Sequence, residues 1–131
     1  MMMSNPPSIL ISDDDPGLRE TLGDLFLPRG YRTFLASDGE EALSIALREQ
    51  VHVVVTDLEM PRLTGIEVIR RVHRHRQSLP CILVSASDSL PTEEADCNHF
   101  FSILCKPFSC QEIRGTVERA LRLTYNWDFS D

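Results

Sequence analysis

No stretch of this chain approaches the ~20 consecutive apolar residues that a membrane-spanning helix requires, so membrane insertion is not expected. Its first residues, MMMSNPPS, lack the charged-then-apolar pattern of a secretory leader, which predicts a cytoplasmic protein. The four cysteines, at 81, 97, 105 and 110, form no Cys-x-x-Cys pair, and no paired histidines complete a zinc pattern. Cys81 and Cys105 lie in or beside apolar runs and read as small buried hydrophobes that stay thiols in a reducing compartment. Internal repeats and low-complexity blocks are absent. Positive charge is scarce: 13 Lys and Arg face 20 Asp and Glu, a net charge of −7. That balance argues against direct nucleic-acid binding, which usually needs a basic domain.

The 131 residues fit one domain, and a 42% hydrophobic content suffices for one core. Residues 1–7 read as a flexible arm, because Pro6 and Pro7 block regular structure. Strand-length apolar runs follow at Ser8–Ser12, Tyr31–Leu35, Val51–Thr56, Pro80–Val84 and Phe100–Cys105. The third is almost continuously apolar, as a parallel strand buried on both faces should be.

Between these runs lie helical faces: Leu18, Leu22, Leu25 and Phe26; Ala42, Leu43, Ala46 and Leu47; Val68, Ile69 and Val72; Ile113, Val117, Ala120 and Leu121. Ser37–Glu40, Thr64–Glu67 and Ser109–Glu112 read as capping boxes. Asp15-Pro16 supplies an N-cap and an N1 proline, and Pro28 with Gly30 ends the first helix.

Strand and helix alternate through five repeats, so the expected fold is α/β: a (βα)5, flavodoxin-like, doubly wound parallel sheet in strand order 2-1-3-4-5. Ligands in such a sheet bind beyond the carboxyl ends of the strands, at the switch between strands 1 and 3. There the sequence places Asp13-Asp14-Asp15, Asp57, Ser85 and Lys106-Pro107.

Taken singly, each residue has an ordinary explanation: an acidic turn, a cap, a loop serine, a surface cation. Together, at four strand ends around one crevice, they favour chemistry. Clustered carboxylates raise one another's pKa unless a cation sits among them, and hard oxygen ligands suit Mg2+ or Mn2+. An Asp carboxylate is a competent phosphoryl acceptor, and phosphoryl transfer needs mainly positioning and charge neutralisation. The predicted roles are Asp57 as acceptor, Asp13 and Asp14 as metal binders, and Lys106 and Ser85 as phosphate contacts. Two enzyme classes drop out. Asp13-x-Asp15 followed by Gly17 fails the pattern of a haloacid dehalogenase-type phosphatase, and acids occupy the turn where a dinucleotide enzyme wants G-x-G-x-x-G.

Through ILISDDDPGLRE, VVVTDLEMPRLTGIEVI, ILVSAS and LCKPF, residues 8–124 resemble the CheY-like receiver domains of response regulators. The resemblance implies a non-enzymatic, Mg2+-dependent phosphoacceptor. Its phosphoryl group would come from a sensor histidine kinase, a phosphotransfer protein or a small phosphodonor, and would switch contacts with a downstream protein or output domain. It matches the acceptor to Asp57 and the acidic pair to Asp13 and Asp14, in preference to Asp14 and Asp15. It matches the switch hydroxyl to Ser85 and the lysine to Lys106, followed by a cis bond to Pro107. It adds the Glu59 backbone carbonyl as a metal ligand.

The chain departs from the family at Ile103, where an aromatic switch residue is usual, and at Asn98-His99-Phe100, where a Gly-Ala turn is usual. Pro91 and sparse apolar positions predict a short helix between Ser85 and Lys106. These departures keep open an alternative: a degenerate receiver that binds proteins without being phosphorylated.

Two features remain. Arg70, Arg71, His73, Arg74, His75 and Arg76 complement a helix C-terminus, with a docking patch for an acidic partner as the sharper reading. Residues 125–131 (YNWDFSD) form a tail that folds back, meets a partner or starts a linker.

Overall fold

The computed structural model describes residues 6–86 and 100–128. Five strands, β1 (Ser8–Ser12), β2 (Arg32–Ala36), β3 (Val53–Asp57), β4 (Cys81–Ala86) and β5 (Ser102–Lys106), form one parallel sheet in the expected order β2-β1-β3-β4-β5. The register pairs Ile11 with Val55 and Leu83 with Ile103, so all strands end along one edge. Four α-helices are described: α1 (Pro16–Phe26), α2 (Gly39–Arg48), α3 (Gly65–His73) and α4 (Cys110–Tyr125). The helix expected between Ser85 and Lys106 falls on residues 87–99, outside the described residues, as do Pro91, Cys97, Asn98 and His99.

Side chains alternate across the strands and build two cores. Leu10, Val54 and Leu83 meet Ala42, Ala46, Val68, Ile69 and Val72 from α2 and α3 on one face. Ile9, Ile11, Val55 and Val84 meet Leu22 and Phe26 of α1 and Ile113, Val117 and Leu121 of α4 on the other. β1 and β3 therefore carry apolar side chains on both faces, as their unbroken apolar runs require.

Capping fixes where the helices start. Asp15 accepts from Gly17 N and precedes Pro16 at N1. Complete capping boxes form at Thr64–Glu67 and Ser109–Glu112. The box expected at Ser37–Glu40 is displaced by one residue. Asp38 is the N-cap and accepts from Glu41 N, while Glu41 reaches back to Ser37 N at 2.7 Å. A carboxylate outcompetes the neighbouring hydroxyl for that orphan N–H. Gly30, at φ 91°, closes the 3-10 turn (Leu27–Arg29) that follows α1.

Other expectations need correction. Ile45, not Leu47, completes the buried face of α2, and Leu47 is exposed. Cys105 is exposed because β5 is an edge strand, whereas Cys81 in β4 is fully buried. Burial pushes the Cys81 thiol up to about 12, so it stays protonated. Pro7, placed in the arm from sequence, is buried and its carbonyl accepts from Arg32 N at 2.9 Å. Tyr125, placed in the tail, is the last residue of α4.

Candidate functional site

The carboxyl edge of the sheet gathers the predicted acids. Asp13 immediately follows β1. Its backbone N donates to Ala36 O at 3.1 Å, its carboxylate accepts from Asp15 N at 2.9 Å, and its carbonyl accepts from Arg19 at 2.8 Å. Asp57 ends β3, and the ladder continues one step past it through Leu58 N to Val84 O. The loop then closes with Gly65 N on Leu58 O at 2.8 Å. Gly65 lies so close to the Asp57 carbonyl that any Cβ would collide with it.

Asp13, Asp14 and Asp57 each present a carboxylate oxygen within 4.8 Å of the others. Asp13 and Asp57 are buried, and Asp14 opens to solvent. From the end of β5, Lys106 Nζ reaches Asp57 Oδ1 at 3.4 Å and Asp13 Oδ2 at 3.6 Å. The Lys106–Pro107 bond is cis, as the resemblance implies. Lys106 is also the chain's single lysine, a compositional signal that the sequence reading did not use.

Burial, and next the Asp13 carboxylate, push the Asp57 carboxyl above its ordinary value of 3.8 despite the opposing pull of Lys106. Three carboxylates facing one ammonium leave two negative charges, which is the deficit a divalent ion fills. An all-oxygen donor set with one exposed side fits a hard cation such as Mg2+ or Mn2+.

Ser85 sits at the same edge, buried in β4, but its hydroxyl donates to Ala86 O at 2.9 Å rather than to the acids. Glu59 is exposed just past Asp57. Ile103 is partly buried against the core that contains Leu83.

Several local contributions were not read from sequence. Met60 Sδ accepts from Ser12 Oγ at 2.9 Å beneath the site. Arg62, at φ 76°, pairs with Asp38 at 3.4 Å and Glu40 at 3.7 Å. Arg76 does not stand free for docking. It donates to Ala46 O and, at 2.6 Å, to Val51 O, lacing the end of α2 to the approach to β3. His73 Nε2 lies 2.8 Å from Leu79 O.

This arrangement, a doubly wound parallel sheet with acids and an amine at its switch point, defines an α/β domain of the flavodoxin-like class, with its polar groups where such sheets bind ligands. The response regulator receiver domain family model matches residues 9–118. Response regulator MprA of Mycolicibacterium vanbaalenii is 36% identical over 91% of the chain and 52% of its own length. Sporulation initiation phosphotransferase F of Bacillus subtilis is 34% identical over 90% of the chain and 96% of its own length. TrrA of Thermotoga maritima, solved in complex with Mg2+-BeF, superposes with a TM-score of 0.80 at 29% identity, covering 88% of this chain and 99% of TrrA.

The chain belongs to the response regulator receiver domain family. It spans about half the length of MprA and nearly all of the phosphotransferase. No helix among the described residues is long and apolar enough to cross a membrane.

Proposed function

We propose that this receiver, spanning residues 8–124 as bounded from sequence, accepts a phosphoryl group on Asp57 in the cytoplasm. An Asp57 carboxylate oxygen attacks phosphorus, and the bond from phosphorus to the donor breaks. With a phosphohistidine donor on a sensor kinase or phosphotransfer protein, the departing imidazole keeps the electron pair and is reprotonated by solvent.

Asp13, Asp14 and the Glu59 carbonyl would hold Mg2+ or Mn2+ together with Asp57. When bound, that ion supplies positive charge against the phosphoryl oxygens. Lys106 supplies a second positive charge from β5 and keeps Asp57 in line with it. Ser85 would contribute its hydroxyl after turning away from Ala86 O. That rotation would carry the phosphorylation state into the segment after β4, where a downstream protein or output domain would read it. With Ile103 in place of an aromatic, no ring rotation at that position takes part.

The observation that carries this reading is the convergence of Lys106 Nζ on both buried acids, 3.4 Å from Asp57 and 3.6 Å from Asp13. The same convergence disfavours the degenerate-receiver alternative, which has no use for a buried acid cluster. Incubation with Mg2+ and acetyl phosphate, followed by intact mass measurement, tests it. One added phosphoryl group is expected, absent in Asp57→Asn and without Mg2+. An adduct that survives Asp57→Asn would refute it.

A further inference from the structure

Below the acid cluster, two buried hydroxyls converge on one sulfur. Ser12 closes β1 immediately before Asp13, and Thr56 immediately precedes Asp57. Both side chains are essentially excluded from solvent. Ser12 Oγ lies 2.9 Å from Met60 Sδ, and Thr56 Oγ1 lies 3.8 Å from the same atom. Thr56 has a better acceptor in Asp57 O at 3.1 Å, so its proton goes there and the sulfur is left to Ser12. A buried hydroxyl with no acceptor is costly, and Met60 Sδ is the acceptor that Ser12 finds.

We infer that Met60 is a positioning residue: its thioether, held by the Ser12 hydroxyl, seats the loop that follows Asp57 so that the Glu59 carbonyl faces the acid cluster. This rests on the metal-dependent acceptor reading above. Met60 also belongs to the apolar core that contains Leu63 and Ala36. As mere filling it would be replaceable by leucine, which has similar volume. As an acceptor it is not, because leucine leaves the Ser12 hydroxyl unpaired in a dry site. The sulfur is tied to the residue preceding Asp13, and Met60 itself directly follows Glu59. A shift of this one contact therefore moves two proposed metal ligands relative to each other. Partners that orient metal ligands typically change affinity by about 10–100-fold when lost.

The test is a double-mutant cycle on Met60→Leu, Ser12→Ala and the pair, read by calorimetric Mg2+ titration of the unphosphorylated full chain and by urea midpoint. Met60→Leu is expected to weaken Mg2+ binding by about tenfold. Ser12→Ala alone should weaken it to a similar degree, and the pair should weaken it no further, because either substitution already removes the contact. The two substitutions should be non-additive in the urea midpoint.

Wild-type affinity in Met60→Leu would reduce the residue to packing and overturn the inference. Wild-type affinity in Ser12→Ala, or losses that add in the pair, would overturn it as well, because the hydrogen bond would not be the cause. A wild type that binds no Mg2+ would instead sink the acceptor reading, and the role given to Met60 with it. The urea cycle would still report whether the Ser12–Met60 pair is coupled, which keeps the two failures apart.

Discussion

The Tyr125 hydroxyl donates to the backbone carbonyl of His52 at 2.8 Å, tying the last residue of α4 to the turn that enters β3. Asn126 then takes a left-handed conformation and returns the chain, so that the Trp127 ring lies 4.8 Å from the His52 ring and 5.0 Å from Tyr125. His52 Nδ1 in turn accepts from Ser8 N at 2.9 Å. The start of β1, the start of β3 and the beginning of the tail thus meet at the edge of the sheet opposite Asp57.

That junction is expected to be acid-sensitive. Burial, with Arg76 and Arg32 nearby, holds His52 below its usual 6.5. The unfolded chain therefore binds the proton first as pH falls, and folded stability drops as pH goes down from 6.5 through the lower folded value. Protonated Nδ1 also cannot accept from Ser8 N. Emission of Trp127, the single tryptophan, should shift to longer wavelength across this range in the wild type and not in His52→Gln. Identical pH profiles for the two proteins would count against the junction.

Gly65→Ala should lower stability by about 1–3 kcal/mol, because the added methyl is driven into the Asp57 carbonyl and into Leu83. Urea unfolding measures this directly. A neutral result would mean that α3 can retreat from β3 without cost.

Asp57→Asn is expected to stabilise the metal-free protein at neutral pH. Because the Asp57 pKa is raised, the folded state holds its proton longer than the unfolded state. Its relative stability contribution is present below 3.8 and is lost as pH rises through the folded value. Removing the charge removes that loss. Added Mg2+ should raise the urea midpoint of the wild type and leave Asp57→Asn nearly unchanged. Equal Mg2+ responses would place the ion elsewhere.

Arg62→Gly should leave stability within about 0.5 kcal/mol of wild type although it deletes two ion pairs. Relief of a positive-φ side chain, worth about 1–2 kcal/mol, offsets the greater freedom of the unfolded glycine and exposed pairs worth about 0–1 kcal/mol. A clear loss in thermal or urea unfolding would show that the link to Asp38 outweighs the strain.

The sheet order and the acid crevice were legible in sequence because both follow from simple periodicity. Val53, Val54 and Val55 are apolar on both faces and so could only be an interior strand, and the acids fall where such strands stop. Thr64 and Ser109 marked their helix starts correctly because each hydroxyl faces no stronger neighbour. Ser37 failed because Asp38 adjoins it. The expected order already put the Cys105 strand at the sheet edge, but the apolar neighbours of Cys105 do not reveal that its own side chain is left uncovered there. The tail could not be placed because its partner, His52, lies 73 residues away from Tyr125. Nothing in the sequence singles out Met60, because side-chain hydrogen bonding to sulfur leaves no pattern in spacing.

The most direct measurement is to locate the phosphoryl group chemically. After reaction with acetyl phosphate and Mg2+, borohydride reduces an aspartyl phosphate to homoserine, and peptide mass spectrometry reads the position. Homoserine at residue 57, absent without Mg2+ and sharply reduced in Lys106→Met, is the expected result. Homoserine at Asp13 or Asp14, or none at any residue of a protein that has taken up phosphate, would contradict phosphoryl acceptance by Asp57.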